Sequence, residues 1–290
     1  MEIKTPDRTI HNGADAMKGK WIVSLLAAVA VSAGPFCAAA EKPGDAYFKG
    51  VELASQGNLA EARAEFEKSL ADYSVYQYAK LELRAIDEVE KGRIKKETAL
   101  LVFQGKQLAT QKKWDEAIAS YNKAIKQNPN YAYAFVSKGI AYMSQGNLDK
   151  AISNYSEAIS VDPKFTEAYQ NRGVLYEYRG QFNKAIVDFN TAIGADPGSP
   201  VLYFNRGMAF IYKGQYDKAL PDLNKVIELK PDFAKAYINK GLVCEELKMN
   251  QDAIEAYKKA VEYDNSESKE ITKDAQESIK ALEDDSKKDK

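Results

Sequence analysis

Apolar residues recur at helical spacing in pairs of short segments along most of the chain. A polar turn with a central glycine separates the two segments of a pair, as at residues 145–147 and 179–181. An Asp-Pro step ends the second segment at residues 162–163 and 196–197, because proline lacks a backbone donor and restricts the residue before it. The pattern predicts two antiparallel helices per pair and an all-α fold.

The helix pairs repeat at a constant interval, with glycine in the first helix, alanine in the second and proline after it. The residues that recur in phase are Gly139, Gly173, Gly207 and Gly241, Ala117, Ala151, Ala185, Ala219 and Ala253, and Pro129, Pro163, Pro197 and Pro231. The five copies start at Thr98, Ala132, Thr166, Pro200 and Ala234. One hairpin cannot bury its apolar face alone, so the copies are expected to stack.

A 34-residue period with these residue types in these slots resembles the tetratricopeptide repeat. The resemblance implies an α-solenoid whose first helices line a concave groove, and a function in binding peptides and protein segments without chemistry of its own. Within a hairpin, the glycine permits close approach of the second helix. We expect the alanine of the second helix to meet it, with aromatic side chains around the contact.

The pattern divides the chain into five parts. Residues 1–40 are an N-terminal extension and signal peptide (or membrane anchor), and residues 41–97 hold a divergent N-terminal repeat and a long connecting helix. Residues 98–267 are five tandem repeats. Residues 268–283 form a capping helix, because the last repeat would otherwise expose its stacking face. Residues 284–290 are a charged tail without apolar side chains.

The N-terminal segment has the order of a secretory signal. Lys18 and Lys20 precede an apolar run over residues 21–33, and three alanines at 38–40 form a cleavage box before Glu41. Met17 would start a signal of ordinary length. A periplasmic or secreted protein is therefore expected. The alternative is an uncleaved membrane anchor, because residues 21–40 are just long enough to span a bilayer.

Composition narrows the chemistry. The 41 basic and 42 acidic residues nearly cancel, which disfavours nucleic acid and anionic membrane surfaces as partners. His11 is the single histidine and falls within the predicted signal, so the mature chain has no histidine for a catalytic triad or a metal site. Cys244 lies on the core stripe and is interpreted as a small buried hydrophobic residue. We expect no catalytic residues, no cofactor and no metal.

The candidate binding residues lie on the first helices of the last three copies. Asn171, Asn205 and Asn239 recur with the period of the repeat, and an asparagine amide offers both donors and an acceptor to the backbone of an extended peptide. This resembles the asparagine ladder of peptide-binding superhelical repeats. The alternative is that these asparagines only tie neighbouring repeats together. Aromatic side chains complete the candidate site, namely Tyr133, Tyr178, Phe204 and Tyr212.

Charged residues on the first helices are interpreted either as ion-pair partners within a hairpin or as groups that attract a partner of opposite charge. Arg172 and Arg206 each precede an aspartate of the second helix, Asp188 and Asp222, by the same interval, which predicts structural ion pairs within a hairpin instead of an anion site. Acidic residues near the C-terminal end of the concave groove favour a partner segment that is extended, apolar and mildly basic. They are Glu177, Glu245 and Glu246.

These observations predict an exported, non-enzymatic scaffold that binds an extended segment of another envelope protein in its concave groove. Two alternatives remain: a carbohydrate-processing protein with a carboxylate pair in the groove, and a self-associating structural protein. The expected partner is a protein or peptide segment and not nucleic acid. Contact with a membrane is expected only through an uncleaved N-terminal anchor.

The export signal makes a direct prediction. Because the alanine box precedes Glu41, the mature protein should begin near Glu41 and be found outside the cytoplasm. N-terminal sequencing of the native protein measures this. Recovery of a cytoplasmic protein that retains residues 1–40 would contradict the assignment.

Overall fold

The computed structural model describes residues 45–70, 76–264 and 269–288, and every regular element in these ranges is an α-helix. The all-α fold class predicted from the apolar pattern is thus confirmed. None of the helices in these ranges is long and apolar enough to cross a membrane. The signal or anchor predicted for residues 1–40 lies outside the described residues.

Fourteen helices are present in the described ranges, and most of them have 11 to 15 residues. They are α1 Asp45–Ser55, α2 Leu59–Ser69, α3 Tyr76–Glu90, α4 Lys96–Thr110, α5 Trp114–Gln127, α6 Ala132–Ser144, α7 Leu148–Val161, α8 Thr166–Tyr178, α9 Phe182–Ala195, α10 Pro200–Tyr212, α11 Tyr216–Leu229, α12 Ala234–Glu246, α13 Asn250–Tyr263 and α14 Glu270–Lys288.

The described helices belong to two compact units. The N-terminal unit contains the described residues up to Asn128 together with Ile140–Asn147, and the C-terminal unit contains Pro129–Gly139 and the described residues from Leu148 onward. In the C-terminal unit, the hairpins α8/α9, α10/α11 and α12/α13 pack in chain order, with α7 against α8 and α14 against α13. The first helices of successive hairpins, α8 and α10, also touch. The candidate site lies in this unit.

A buried ion pair organises the N-terminal unit. The ammonium of Lys106 on α4 pairs with the carboxylate of Glu82 on α3, and both side chains are buried. The hydroxyl of Tyr47 on α1 donates to the same carboxylate, 3.3 Å from Glu82 Oε1. Helix α3, which interrupts the repeat pattern, is therefore joined to α1 and α4 through polar contacts. It also buries apolar side chains, namely Leu81, Ala85 and Ile86.

An aromatic ring packs directly on the glycine of the first helix in most hairpins. A Cβ atom placed on Gly173 would lie 2.7 Å from Phe189 Cε1, and one on Gly105 would lie 2.5 Å from Tyr121 Cε1. The predicted close approach at the glycine is confirmed. The expected partner was wrong, because ring carbons and not the alanine of the second helix are the nearest atoms. The ring follows the glycine at a constant offset in the sequence, which places it at the same level of the hairpin.

One hairpin in the C-terminal unit departs from this packing. Leu223 occupies the ring position opposite Gly207, and an added Cβ on this glycine would meet Asp222 Cβ at 3.3 Å and Leu223 Cδ2 at 3.8 Å. The contact is tight but leaves more room than the ring contacts. Gly207 is thus a natural control for the importance of the ring.

Each hairpin turn needs one residue with positive φ. Glycine supplies it in the α8/α9 turn, where Gly180 has φ of 70°, and Lys248 supplies it in the α12/α13 turn, with φ of 63°. The amide of Gly180 donates to the carbonyl of Glu177, and that of Gln181 to the carbonyl of Tyr176, each at 2.8 Å. These bonds satisfy carbonyls at the end of α8 and close the turn.

The last helix is longer than the capping helix expected over residues 268–283. Helix α14 ends at Lys288, so it includes most of the residues expected to form a charged tail. It packs against α13, and Ala275 and Leu282 on its apolar stripe are buried.

Ring-on-glycine packing predicts a difference between two otherwise similar substitutions. Gly173→Ala forces a methyl group into the Phe189 ring, and we expect it to lower the free energy of unfolding by about 1 to 3 kcal/mol. Gly207→Ala needs a shift of only a few tenths of an ångström. It also gains about 1 kcal/mol of helix propensity. It should therefore be close to neutral.

Urea unfolding of the two variants beside the parent protein measures this difference. Equal losses in both variants would show that the ring contact is not what makes the glycine necessary.

Candidate functional site

The three candidate asparagines occupy the same position on α8, α10 and α12, but their amides are in different states. The Asn239 side chain is 4% exposed, and its Nδ2 donates to the carbonyl of Lys235 one turn earlier in α12, at 2.6 Å. Asn205 is 6% exposed, and its Nδ2 has no acceptor among the described residues. Asn171 is half-buried and has no side-chain hydrogen bond to a described residue. Two of the three amides thus lack an internal hydrogen bond, and of these only the Asn171 side chain is partly exposed.

The hypothesis that the asparagines tie neighbouring repeats together finds no support in these bonds. The only side-chain hydrogen bond that they make to described residues is that of Asn239, within its own helix. A binding role for Asn171 and Asn205 therefore stays a prediction. Asn239 could donate to a ligand only after its hydrogen bond to Lys235 is broken.

Arginine side chains make the contacts between hairpins. The guanidinium of Arg172 donates through Nε and Nη2 to both carboxylate oxygens of Asp188, at 2.9 and 2.8 Å, and through Nη1 to Ser156 Oγ in α7, at 2.9 Å. Arg206 repeats the arrangement with Asp222, at 2.8 and 2.6 Å, and with an asparagine of α9, at 2.7 Å. The predicted structural ion pairs are confirmed.

The arginine contacts also affect the charge of the site. Hydrogen bonds to Asp188 and Asp222 raise the pKa of Arg172 and of Arg206 above its ordinary value. Both guanidinium groups are held by carboxylates and by the second helix of the preceding hairpin. They stabilise the stack of hairpins and are not available as an anion site.

The four aromatic candidates differ in how much surface they present. Tyr178, at the end of α8, is 51% exposed. Tyr212 is half-buried and stacks on Phe182, with ring centroids 5.4 Å apart. Phe204 is half-buried and meets the ring of Phe233 edge-on at 5.3 Å. Tyr178 is therefore the aromatic candidate with open surface.

Tyr133 requires a correction. Its side chain is only 1% exposed, and its ring lies 5.6 Å from that of Tyr131. A tyrosine buried to this extent contributes to the packing of its own unit and offers no surface to a peptide. Its position on a first helix could be predicted from the repeat pattern, but its burial could not.

The structure adds Glu177 to the candidate site. This side chain is 6% exposed, and no hydrogen bond or ion pair with a described residue compensates its burial. Burial raises the pKa of its carboxyl group to about 8. Val174 and Gln170, on the same face of α8, are also buried. In the sequence, Glu177 is one of several acidic residues predicted to line the groove. The repeat pattern does not show that its neighbours in the fold provide no hydrogen-bond donor for its carboxyl group.

Metal chemistry has no obvious location in the described part of the chain. No group of three or more His, Cys, Asp or Glu side chains in these ranges is placed to hold a metal ion. Cys244 is buried, as expected for a core residue. Burial raises the pKa of its thiol, which disfavours the reactive thiolate.

Family comparisons agree with the register of the repeats. A model of the TPR repeat matches residues 105–146 and 139–177, and models of the tetratricopeptide repeat match 166–199, 200–233 and 234–267. The last three segments coincide with copies predicted from the sequence. Together the matches extend from residue 105 to residue 267, more than half of the chain. The chain belongs to the tetratricopeptide-repeat family, and its fold is the helical solenoid of that family.

Solved structures show the same fold. A crystal structure of MamA is 28% identical, with a TM-score of 0.53, over 57% of this chain and 96% of that one. MamA from Desulfovibrio magneticus RS-1 is 18% identical, with a TM-score of 0.54, over 59% and 96%. YrrB, described as a TPR protein with an unusual peptide-binding site, is 19% identical, with a TM-score of 0.54, over 68% and 97%. Among curated proteins, none matches significantly.

The buried carboxyl group of Glu177 predicts a pH dependence of stability. Its pKa is about 8 in the folded protein and roughly 4.3 in the unfolded chain, so the folded state binds an extra proton between these values. Its contribution to stability is therefore complete below about pH 4 and is lost as pH rises through 8. The slope cannot exceed about 1.4 kcal/mol per pH unit.

Glu177→Gln should remove this slope and stabilise the fold at pH 8.5 relative to the parent. The measurement is urea unfolding at pH 5, 7 and 8.5, with Glu245→Gln as the control because Glu245 is exposed. If Glu177→Gln and the parent lost stability in parallel as pH rises, the carboxyl group would not be buried as described.

Proposed function

We propose that this chain is a non-enzymatic scaffold that holds an extended segment of another protein across α8 and α10 of its C-terminal unit. The observation that carries the proposal is a pair of polar side chains in this unit: the Asn205 amide, which is buried without an acceptor, and the Glu177 carboxyl group, whose pKa is raised by burial with no compensating charge or hydrogen bond. A buried polar group left unpaired costs about 1 to 3 kcal/mol. Groups of this kind call for an explanation, and a bound segment supplies one.

An extended peptide would match the spacing of the two amides that lack an internal hydrogen bond. Asn171 and Asn205 lie at equivalent positions of successive hairpins, and α8 and α10 are in contact. The backbone of an extended segment presents both donors and acceptors, which match the asparagine amide whatever the side chains of the segment are. Tyr178, at the exposed end of α8, adds apolar area with a polar tip.

The compartment and the partner class are part of the same proposal. The charged, apolar and small-residue order of residues 1–40 supports export, and an exported scaffold meets its partner in the cell envelope or outside the cell. Membership of the repeat family and the likeness to YrrB, a TPR protein with a peptide-binding site, support binding as the activity. The partner is therefore a protein of the envelope or of the exterior.

The proposal predicts that substitution of Asn171 and Asn205 weakens binding and that substitution of Asn239 does not. A partner is first identified by crosslinking and mass spectrometry in the native envelope. The double variant Asn171→Ala/Asn205→Ala should then bind it about 5- to 150-fold more weakly, because two net hydrogen bonds of roughly 0.5 to 1.5 kcal/mol each are lost. Its melting temperature should change little, since neither amide bonds to a described residue.

Asn239→Ala is the matched control, and titration calorimetry of all variants is the measurement. Because the Asn239 amide bonds within α12, this variant should bind as the parent does. Unchanged affinity in the double variant, or an equal loss in Asn239→Ala, would exclude the proposed contacts.

A further inference from the structure

Glu177 has a counterpart in the same chain whose carboxylate does accept a hydrogen bond within the hairpin. Glu245 lies at the equivalent place on α12, two repeats later. Its carboxylate accepts a hydrogen bond from the hydroxyl of Tyr257 on α13, 2.9 Å away. The Tyr257 ring packs on Gly241, so the contact that closes the hairpin also carries a donor to the acid.

The hairpin of Glu177 has the same ring contact but no donor. Phe189 occupies the place of Tyr257 and packs on Gly173, with Cζ 3.1 Å from the position of an added Cβ. A phenyl ring ends where the tyrosine hydroxyl would begin. The sequence thus pairs an acid with a phenylalanine in this hairpin, which leaves the carboxyl group of Glu177 without its internal partner.

The cations near this hairpin are engaged elsewhere. Arg172 is held by Asp188, and Arg179 pairs with Asp149 at 2.8 Å. The ammonium of Lys184 lies over the ring of Tyr176, 5.2 Å from its centroid. Among the described residues, no cation forms an ion pair with Glu177. A cation that pairs with the ionised form of this side chain would therefore come from outside the described part of the chain.

We propose that Glu177 forms a cationic subsite, which accepts a lysine or arginine side chain of the bound segment. This inference rests on the proposed function, because it assigns one side chain of the segment that the asparagines hold. Charge complementarity selects the occupant. A buried carboxylate has no other compensation as favourable as a hydrogen-bonded cation, and removal of one partner from such a pair is costly.

Two neighbouring features support the subsite. Tyr178 follows Glu177 directly and is 51% exposed, so the end of α8 that carries Glu177 lies at the surface of the unit. The raised pKa of Glu177 is the state expected for an acid whose cation is absent. Docking of a cation lowers this pKa and releases the proton.

The test uses a random library of decapeptides that are acetylated and amidated, so that no terminal charge can replace a side chain. The library is selected on the full chain and on the variants Glu177→Gln, Phe189→Tyr and Glu245→Gln. We expect lysine and arginine to be enriched in the pool retained by the parent and by Glu245→Gln. Glu177→Gln should lose the enrichment because its side chain is neutral. Phe189→Tyr should lose it because the new hydroxyl supplies the missing internal donor.

One retained peptide is then titrated with its basic residue intact and with glutamine in its place. The exchange should weaken binding to the parent at least tenfold and leave binding to Glu177→Gln almost unchanged. Circular dichroism establishes that each variant is folded. If Phe189→Tyr does not fold, the comparison of the parent with Glu177→Gln decides the question alone.

The outcomes separate the two proposals. If the parent retains no peptide, the proposed function is contradicted and the subsite with it. If the parent retains peptides without basic enrichment, or if Glu177→Gln keeps the enrichment, peptide binding stands and the cationic subsite is wrong.

Discussion

The fold depends on one contact that is repeated along the chain, an aromatic ring on a glycine. The glycine leaves no room for a methyl group, so each ring fixes both the separation and the register of the two helices in its hairpin. Arginines then join one hairpin to the next, as Arg172 joins α8 to α7 and α9. The asparagines beside these residues take part in neither contact, and Asn171 and Asn205 make no side-chain hydrogen bond to a described residue.

The repeat pattern was sufficient to predict the fold, but it predicted only part of the candidate site. The regular recurrence placed the copies from Thr166, Pro200 and Ala234 in the register that the family models match. It also paired Arg172 with Asp188, since a fixed offset across a hairpin brings the two together. A period says which residues are equivalent, but it does not say which of them find partners. Equivalent side chains such as Asn205 and Asn239 therefore differ in ways that only the structure shows.

Small departures from the repeat distinguish side chains that are otherwise equivalent. Phe189 instead of tyrosine deprives Glu177 of a donor, whereas Tyr257 provides one for Glu245. A search for acids whose companion ring lacks a hydroxyl would have found Glu177 from the sequence, given the knowledge that the ring reaches this position. The hairpins can tolerate such unpaired groups because ring and arginine contacts already fix their geometry. In the proposed function, the stability lost at this position is regained when a ligand binds.

The central claim is that the amides of Asn171 and Asn205, which lack an internal hydrogen bond, hold the ligand while that of Asn239 does not. Side-chain amide resonances in a nitrogen–proton correlation spectrum measure this directly, with assignments from single Asn→Gln variants and a library-selected peptide as the ligand. On titration, the Asn171 and Asn205 resonances should shift and approach saturation together, and the Asn239 resonance should stay in place. A shift of Asn239 with the other two unchanged would contradict the account.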